Sequence, residues 1–214
     1  MSNNQIIFVT GTDTGAGKTV LTALLLAHLR GQGRDALGMK PFCSGDRGDA
    51  RLLHSLQEGC LTLDEVNPFY FDKPLAPAAA PKRVPFQVAL GRIRALADRC
   101  GVLLIEGAGG LLAPLGDDYT ARDLIAALKC KTMVVSRNRL GTINHTLLSI
   151  EALRGRHMRL HGLIFVGDDN PDNMRTIADF SGVRILGLVP RLDRVDRDAL
   201  LSVFARGFRR EDFA

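Results

Sequence analysis

An α/β fold, with a largely parallel sheet and helices on both faces in a single domain over residues 1–214, is predicted by three observations. Short apolar runs alternate with segments of helical period along the whole chain. The runs are apolar at consecutive positions rather than alternate ones, as strands covered on both faces are. A length of 214 residues suits one domain with one substantial core.

The elements follow in order. IIFV (residues 6–9) reads as a strand that enters a glycine-rich loop and then a helix over 18–30. DALGMK (35–40) is a weaker strand, followed by a helix over 49–58. Residues 67–85 carry five of the nine prolines, so they are expected to form an irregular excursion without an element, either a plain surface connection or a substrate-contacting loop. A helix over 86–99 leads to VLLI (102–105), a helix over 121–128 to TMVV (132–135), and a helix over 143–154 to GLIFV (162–166). A helix over 171–180 and the strand RILGLV (184–189) complete the alternation. The charged tail ARGFRREDFA (205–214) is expected to be a solvated end.

Composition narrows the function. The formal charge of +5 comes from Lys and Arg scattered without a dense block or aromatic interleaving, which argues against nucleic-acid binding and allows an anionic small-molecule ligand. Apolar stretches are too short to cross a bilayer and the first residues lack a signal-peptide pattern, so a cytoplasmic protein without a membrane partner is expected. Cys43, Cys60, Cys100 and Cys130 are widely spaced, which suggests reduced thiols rather than zinc ligands or a disulfide framework.

The chemistry concentrates where strands end. GTDTGAGKT (11–19) sits between a predicted strand and a predicted helix, the context of a phosphate loop. The slot for the loop's usual first glycine holds Thr12, with glycine one residue early at Gly11. Glycines let the backbone approach phosphate oxygens while amides and the helix N-terminus face the negative charge. Lys18 is expected to bridge the β- and γ-phosphates and Thr19 to offer its hydroxyl to magnesium. Glu106, at the tip of VLLIE, is either a solvated strand-end carboxylate or a magnesium ligand. Lys40 follows the second strand and could bring a second positive charge to a transferring phosphoryl group. Asp49 is either a helix cap or a metal ligand. His145 is read as a packed structural histidine. Asp13 stands where a cytoskeletal or partitioning ATPase would carry a second loop lysine, which argues against that type of nucleotide switch.

These strings together resemble the dethiobiotin synthetases, ATP-dependent enzymes that close the ureido ring in biotin synthesis. The family's loop has five residues between its glycines, as here. The resemblance continues through KPFCSG (40–45), NPFYF (67–71), EGAGGLLAPL (106–115) and LGTINHTLL (140–148), in family order. It implies a fold of the P-loop NTPase type, with Gly11, Thr12, Asp13, Gly15, Ala16, Gly17, Lys18, Thr19, Pro190 and Leu192 binding nucleotide. It also implies Lys18, Lys40 and Thr14 as catalytic residues, and Mg2+ on Thr19, Asp49 and Glu106, with ATP as co-substrate. Thr14, Ser44, Gly109, Thr142, Ile143 and Asn144 would bind the diamine, the last three from across the boundary of a homodimer. Ala76-Pro77-Ala78 departs from the family's Ser-Pro-His, and FVGDDNP (165–171) offers Val166, Gly167 and Asp168 where the family often has a base-reading asparagine, leaving nucleobase preference open. The alternatives are a related ATP-dependent amide ligase, a nucleotide-switch ATPase, or a member that has lost turnover.

Overall fold

In the computed structural model, which describes residues 4–213, six strands form one parallel sheet in the order β2-β5-β1-β6-β7-β8. They are β1 (Gln5–Gly11), β2 (Ala36–Met39), β5 (Val102–Glu106), β6 (Lys131–Arg137), β7 (Leu160–Val166) and β8 (Ile185–Val189). The central strands β1, β5 and β6 are buried at consecutive positions, so both faces are covered. Helices provide the cover: α1 (Lys18–Gly31) packs against α8 (Arg197–Gly207), α4 (Phe86–Ala97) against α5 (Ala121–Leu128), and α6 (Thr142–Arg154) against α7 (Pro171–Ser181). Leu21, Leu24, Leu25 and Leu26 of α1 meet Ile7 and Val9 of β1 in one continuous core.

Topology fixes where a ligand can bind. The chain passes from β1 to one side for β2 and β5, and to the other for β6 to β8. The connections therefore part at the carboxyl end of β1, the crevice used by open parallel sheets.

Two expectations need correction. Residues 67–85 are not without elements: β4 (Phe69–Phe71) pairs in parallel with a short strand β3 (Phe42–Ser44), and Pro77–Ala79 form a 3-10 turn. Prolines flank the strand without interrupting it, so its backbone donors remain available. Just before it lies α3 (Leu63–Val66), closed by a capping box between Thr62 and Glu65, and α2 (Gly48–Ser55) precedes that. Nor is the tail solvated to its end: residues 205–207 and 209–211 are exposed, but the last described residues dock back on the fold. Within residues 205–213 Asp212 and Phe213 are buried; Phe213 packs edge-on against Phe204 and Phe208, its carbonyl accepts from Arg34 Nη1 at 3.0 Å, and Asp212 pairs with Arg184. Burying a phenylalanine contributes roughly 1.5–3 kcal/mol, enough to draw a charged segment onto α8.

At the edge strand β2 a side chain does the work of a neighbouring strand. The outer backbone of β2 has no strand beside it, and the buried amide of Gln57 takes its place, accepting from Gly38 N–H at 2.9 Å and donating to the Gly38 carbonyl at 3.0 Å. Such pairing satisfies groups that would otherwise be orphaned.

Candidate active site

The phosphate loop is shaped by its glycines. Gly15 and Gly17 hold φ of 70° and 100°, the left-handed region that side chains avoid. A Cβ on Gly17 would also lie 2.7 Å from Val166, so glycine alone lets the loop tuck against the end of β7. Gly17 caps α1 without a side-chain hydrogen bond, and no acidic residue occupies the first turn. The helix thus presents uncompensated N–H groups and its positive end to the crevice, an anion site by construction.

Around that end the charged residues converge. Lys18 is buried and donates from Nζ to the Asp13 carbonyl at 3.0 Å. Burial, and then the nearby charge of Lys40, pull its pKa down to about 8. Lys40 is also buried, but its Nζ lies 2.5 Å from Glu106 Oε1 and 3.0 Å from Asp49 Oδ2. Burial opposes its charge; the two carboxylates outweigh that cost and raise its pKa above the usual lysine range. Lys40 therefore stays an ammonium.

Glu106 is 1% exposed, and desolvation raises its pKa although Lys40 pulls the other way. Its Oε1 accepts from Thr19 Oγ1 at 2.7 Å as well as from Lys40, whereas Oε2 is buried with no hydrogen-bond partner. An orphaned carboxylate oxygen beside a hydroxyl and the half-exposed carboxylate of Asp49 is an all-oxygen donor set suited to a hard divalent cation. The geometry removes one side of each open reading. Glu106 is not solvated, and Asp49 does not cap its helix, since the N-cap position belongs to Arg47 and Asp49 turns toward Lys40.

A cavity of about 380 Å³ adjoins this cluster, lined in part by Thr14, Lys40, Ser44, Asp49 and Gly109 and closed on one side by Pro74–Pro77. Ala76 and Pro77 of the proline-rich segment therefore face the same space as Lys40. Cys43 and Asp46 line it too, and their spacing within KPFCSGD gave no separate signal.

Other predicted residues lie elsewhere. Pro190 and Leu192 flank Arg191, which lines a second, open cavity of about 320 Å³ with Arg137, Asn138, Arg139, Val166, Gly167 and Asp168. The three residues Arg137, Asn138 and Arg139 were missed, although the rule that ligands sit beyond strand ends applies to β6 as much as to β1. Thr142, Ile143 and Asn144 do not line the cavity that holds Thr14 and Ser44. The Thr142 hydroxyl is within 2.7 Å of Ser136 Oγ and its amide donates to Arg139 O at 3.0 Å, so neither is offered outward. His145 is exposed and lines a third cavity of about 390 Å³ between α6 and the loop, which corrects its reading as a packed residue.

The comparisons with known proteins agree with this geometry. A family model described as an AAA domain matches residues 5–199. The chain is 40% identical over 201 residues to an ATP-dependent dethiobiotin synthetase BioD of Bacillus licheniformis, covering 87% of this chain and 86% of that one. To the protein of the same name from Novosphingobium aromaticivorans it is 41% identical over 208 residues, covering 96% and 98%. Among solved structures the MinD cell division protein of Aquifex aeolicus superposes with a TM-score of 0.60 at 16% identity, covering 93% of this chain and 87% of that one, a likeness of fold alone. With its six-stranded parallel sheet, its glycine-shaped phosphate loop and relatives at this identity along nearly its whole length, the chain belongs to the family of ATP-dependent dethiobiotin synthetases.

Proposed function

We propose that this protein converts 7,8-diaminononanoate, CO2 and ATP to dethiobiotin, ADP and phosphate. One observation carries the reading: two lysines and the oxygens of Thr19, Asp49 and Glu106 converge at the mouth of the cavity that Thr14 and Ser44 line. One amine of the substrate adds to CO2 and loses a proton, giving a carbamate. A carbamate oxygen attacks the γ-phosphorus and ADP leaves. The second amine then attacks the carbonyl carbon, closing the five-membered urea as phosphate departs.

This sequence asks for charge neutralisation and alignment rather than a strong protein nucleophile. The loop amides from Gly11 to Thr19 hold the phosphates, and Lys18 swings from the Asp13 carbonyl to the phosphate chain. Lys40, held as an ammonium, neutralises the oxygens of the transferring group. Thr14 and Ser44 orient the nitrogen-bearing end of the diamine. Bound to Thr19, Asp49 and Glu106, magnesium would supply positive charge to the phosphate oxygens.

The positive end of α6, with no acidic residue in its first turn, suits a carboxylate, and its absence from the lining of the cavity in its own chain favours delivery to a second subunit. Leu112, Leu140 and Leu148 are exposed, and Leu112 and Leu148 line the cavity between α6 and the loop, consistent with a homodimer formed on this face. Among the described residues no helix is long and apolar enough to cross a membrane.

The test is direct. Protein incubated with magnesium, bicarbonate, 7,8-diaminononanoate and each nucleoside triphosphate should yield the cyclic urea by mass spectrometry; native protein giving none refutes the reaction. The sedimentation coefficient of the same sample reports the dimer.

A further inference from the structure

The string NPFYF (67–71) is left without a role by the site as described, yet its first residue is 1% exposed and, apart from a 3.5 Å contact to the Phe69 carbonyl, its side-chain bonds serve the active-site segment. Asn67 Nδ2 donates to the Lys40 carbonyl at 2.8 Å and to the Pro41 carbonyl at 3.3 Å. Its Oδ1 accepts from Arg47 Nε at 3.0 Å. Arg47 Nη2 in turn donates to the carbonyls of Asn67 and Leu63, each at 3.1 Å. We infer that Asn67 is a positioning residue for phosphoryl transfer, fixing the backbone of Lys40 and, through Arg47, the helix that carries Asp49.

The physical case rests on where Lys40 lies. It is the first residue beyond β2, an edge strand, so no neighbouring strand holds its backbone. Its N–H donates to Val66 O at 2.9 Å and its carbonyl takes the Asn67 amide, so the end of α3 grips it from both sides. A lysine stem has four rotatable carbons, and the place of its ammonium depends on an anchored Cα as much as on its ion partners. Arg47 stands two residues before Asp49, whose Oδ2 contacts Lys40 Nζ at 3.0 Å. The links close on themselves, from Lys40 backbone to Asn67, to Arg47, to Asp49 and back to the Lys40 ammonium. The strand that follows Asn67 extends the arrangement, since Phe71 pairs with Ser44 and fixes the far end of the same connection. Asn67 touches neither the phosphate loop nor the cavity that holds Thr14, so it acts through Lys40 rather than on substrate.

The inference rests on the proposed ring closure, and Gln57 supplies an internal control. Gln57 is equally buried and makes two equivalent bonds to β2 two residues earlier, at Gly38. Asn67→Ala should lower kcat for cyclic-urea formation by ~10- to 100-fold, as a displacement of catalytic groups does, with KM for ATP changed less than about twofold. Gln57→Ala should lower the melting temperature by a similar amount but kcat by less than about threefold, since the bonds it removes are structural. Equal losses of kcat in the two variants, or near-normal kcat in Asn67→Ala, would overturn the positioning role. Should Asn67→Ala fail to fold, Arg47→Lys keeps the charge but lacks the Nε donor, and unchanged kcat in that variant would equally overturn it. Wild-type protein run alongside separates the two ideas: no product from it refutes the reaction, whereas product from it together with an unimpaired Asn67 variant refutes only the positioning.

Discussion

Two regions at the same end of one sheet are built in opposite ways. At the β1–β5 side, Lys18, Lys40 and Glu106 are buried, and each charge is held by a named partner a hydrogen bond away. At the β7–β8 side, Arg137, Arg139, Asp168 and Arg191 are exposed around an open cavity, tied mainly by an Asp168–Arg191 pair at 2.9 Å on the surface. Buried charges without partners are costly, so folding itself enforces the first arrangement. Exposed ion pairs contribute only about 0–1 kcal/mol, so the second can rearrange around different ligands. Under the proposed function, phosphate handling falls to the first region and base recognition to the second.

The strongest way to break the comparison is Lys18→Ala. It should reduce turnover by roughly 10²- to 10³-fold, the scale seen when one preorganised charge donor is removed, while circular dichroism and melting show a native fold. Near-normal turnover would mean that the buried cluster does not handle phosphate.

The pH dependence of nucleotide affinity gives the next largest effect. In the free protein Lys18 loses its proton near its pKa of about 8, whereas phosphate binding requires the ammonium. The bound state therefore has the higher pKa: affinity should be flat below pH 8 and fall above it, approaching about tenfold per pH unit, as calorimetry across pH 7–10 would show. Lys40, whose carboxylate partners keep it protonated, should add no break in that window. A flat profile to pH 10 would remove Lys18 from the binding step.

The smallest effect sharpens the other side of the contrast. Because Val166, Gly167 and Asp168 stand at the positions where a base-reading asparagine is expected, replacing ATP by another nucleoside triphosphate should change kcat/KM by less than ~10-fold, well below the 10⁴-fold or more of a site whose buried polar groups read the base. Asp168→Ala should shift that ratio while leaving ATP turnover within about threefold, as expected of an exposed pair. Strict selection of one base would show that the open region is no more adaptable than the buried one.

Much of the buried region was readable in advance. Gly15, Gly17, Lys18 and Thr19 act within one loop and one helical turn, so their spacing contains their geometry. Lys40, Ser44, Asp49 and Glu106 were legible as candidates, and the structure brings them together with Thr14 around one cluster and its cavity. What was not legible was the support. Asn67 had the look of a loop residue among prolines, and only the pairing of β3 with β4 turns it toward Lys40. The end of the tail was misread for a related reason: the exposed charges of Arg209, Arg210 and Glu211 dominate its composition, while its last turn is set by Phe213 meeting Phe204 and Phe208.

The sequence by itself determined the alternation of strand and helix, the conformation of the phosphate loop and the open positive end of α1, because these depend on residues within a few positions of one another. Only the tertiary structure decided that Lys40 meets Glu106 across 66 residues, that Glu106 keeps one oxygen unpartnered, and that Asn67 and Arg47 hold the segment between them. Those contacts depend on strand order and register, which place distant backbones within a few ångströms, and no local periodicity encodes which side chains will then share a dehydrated space.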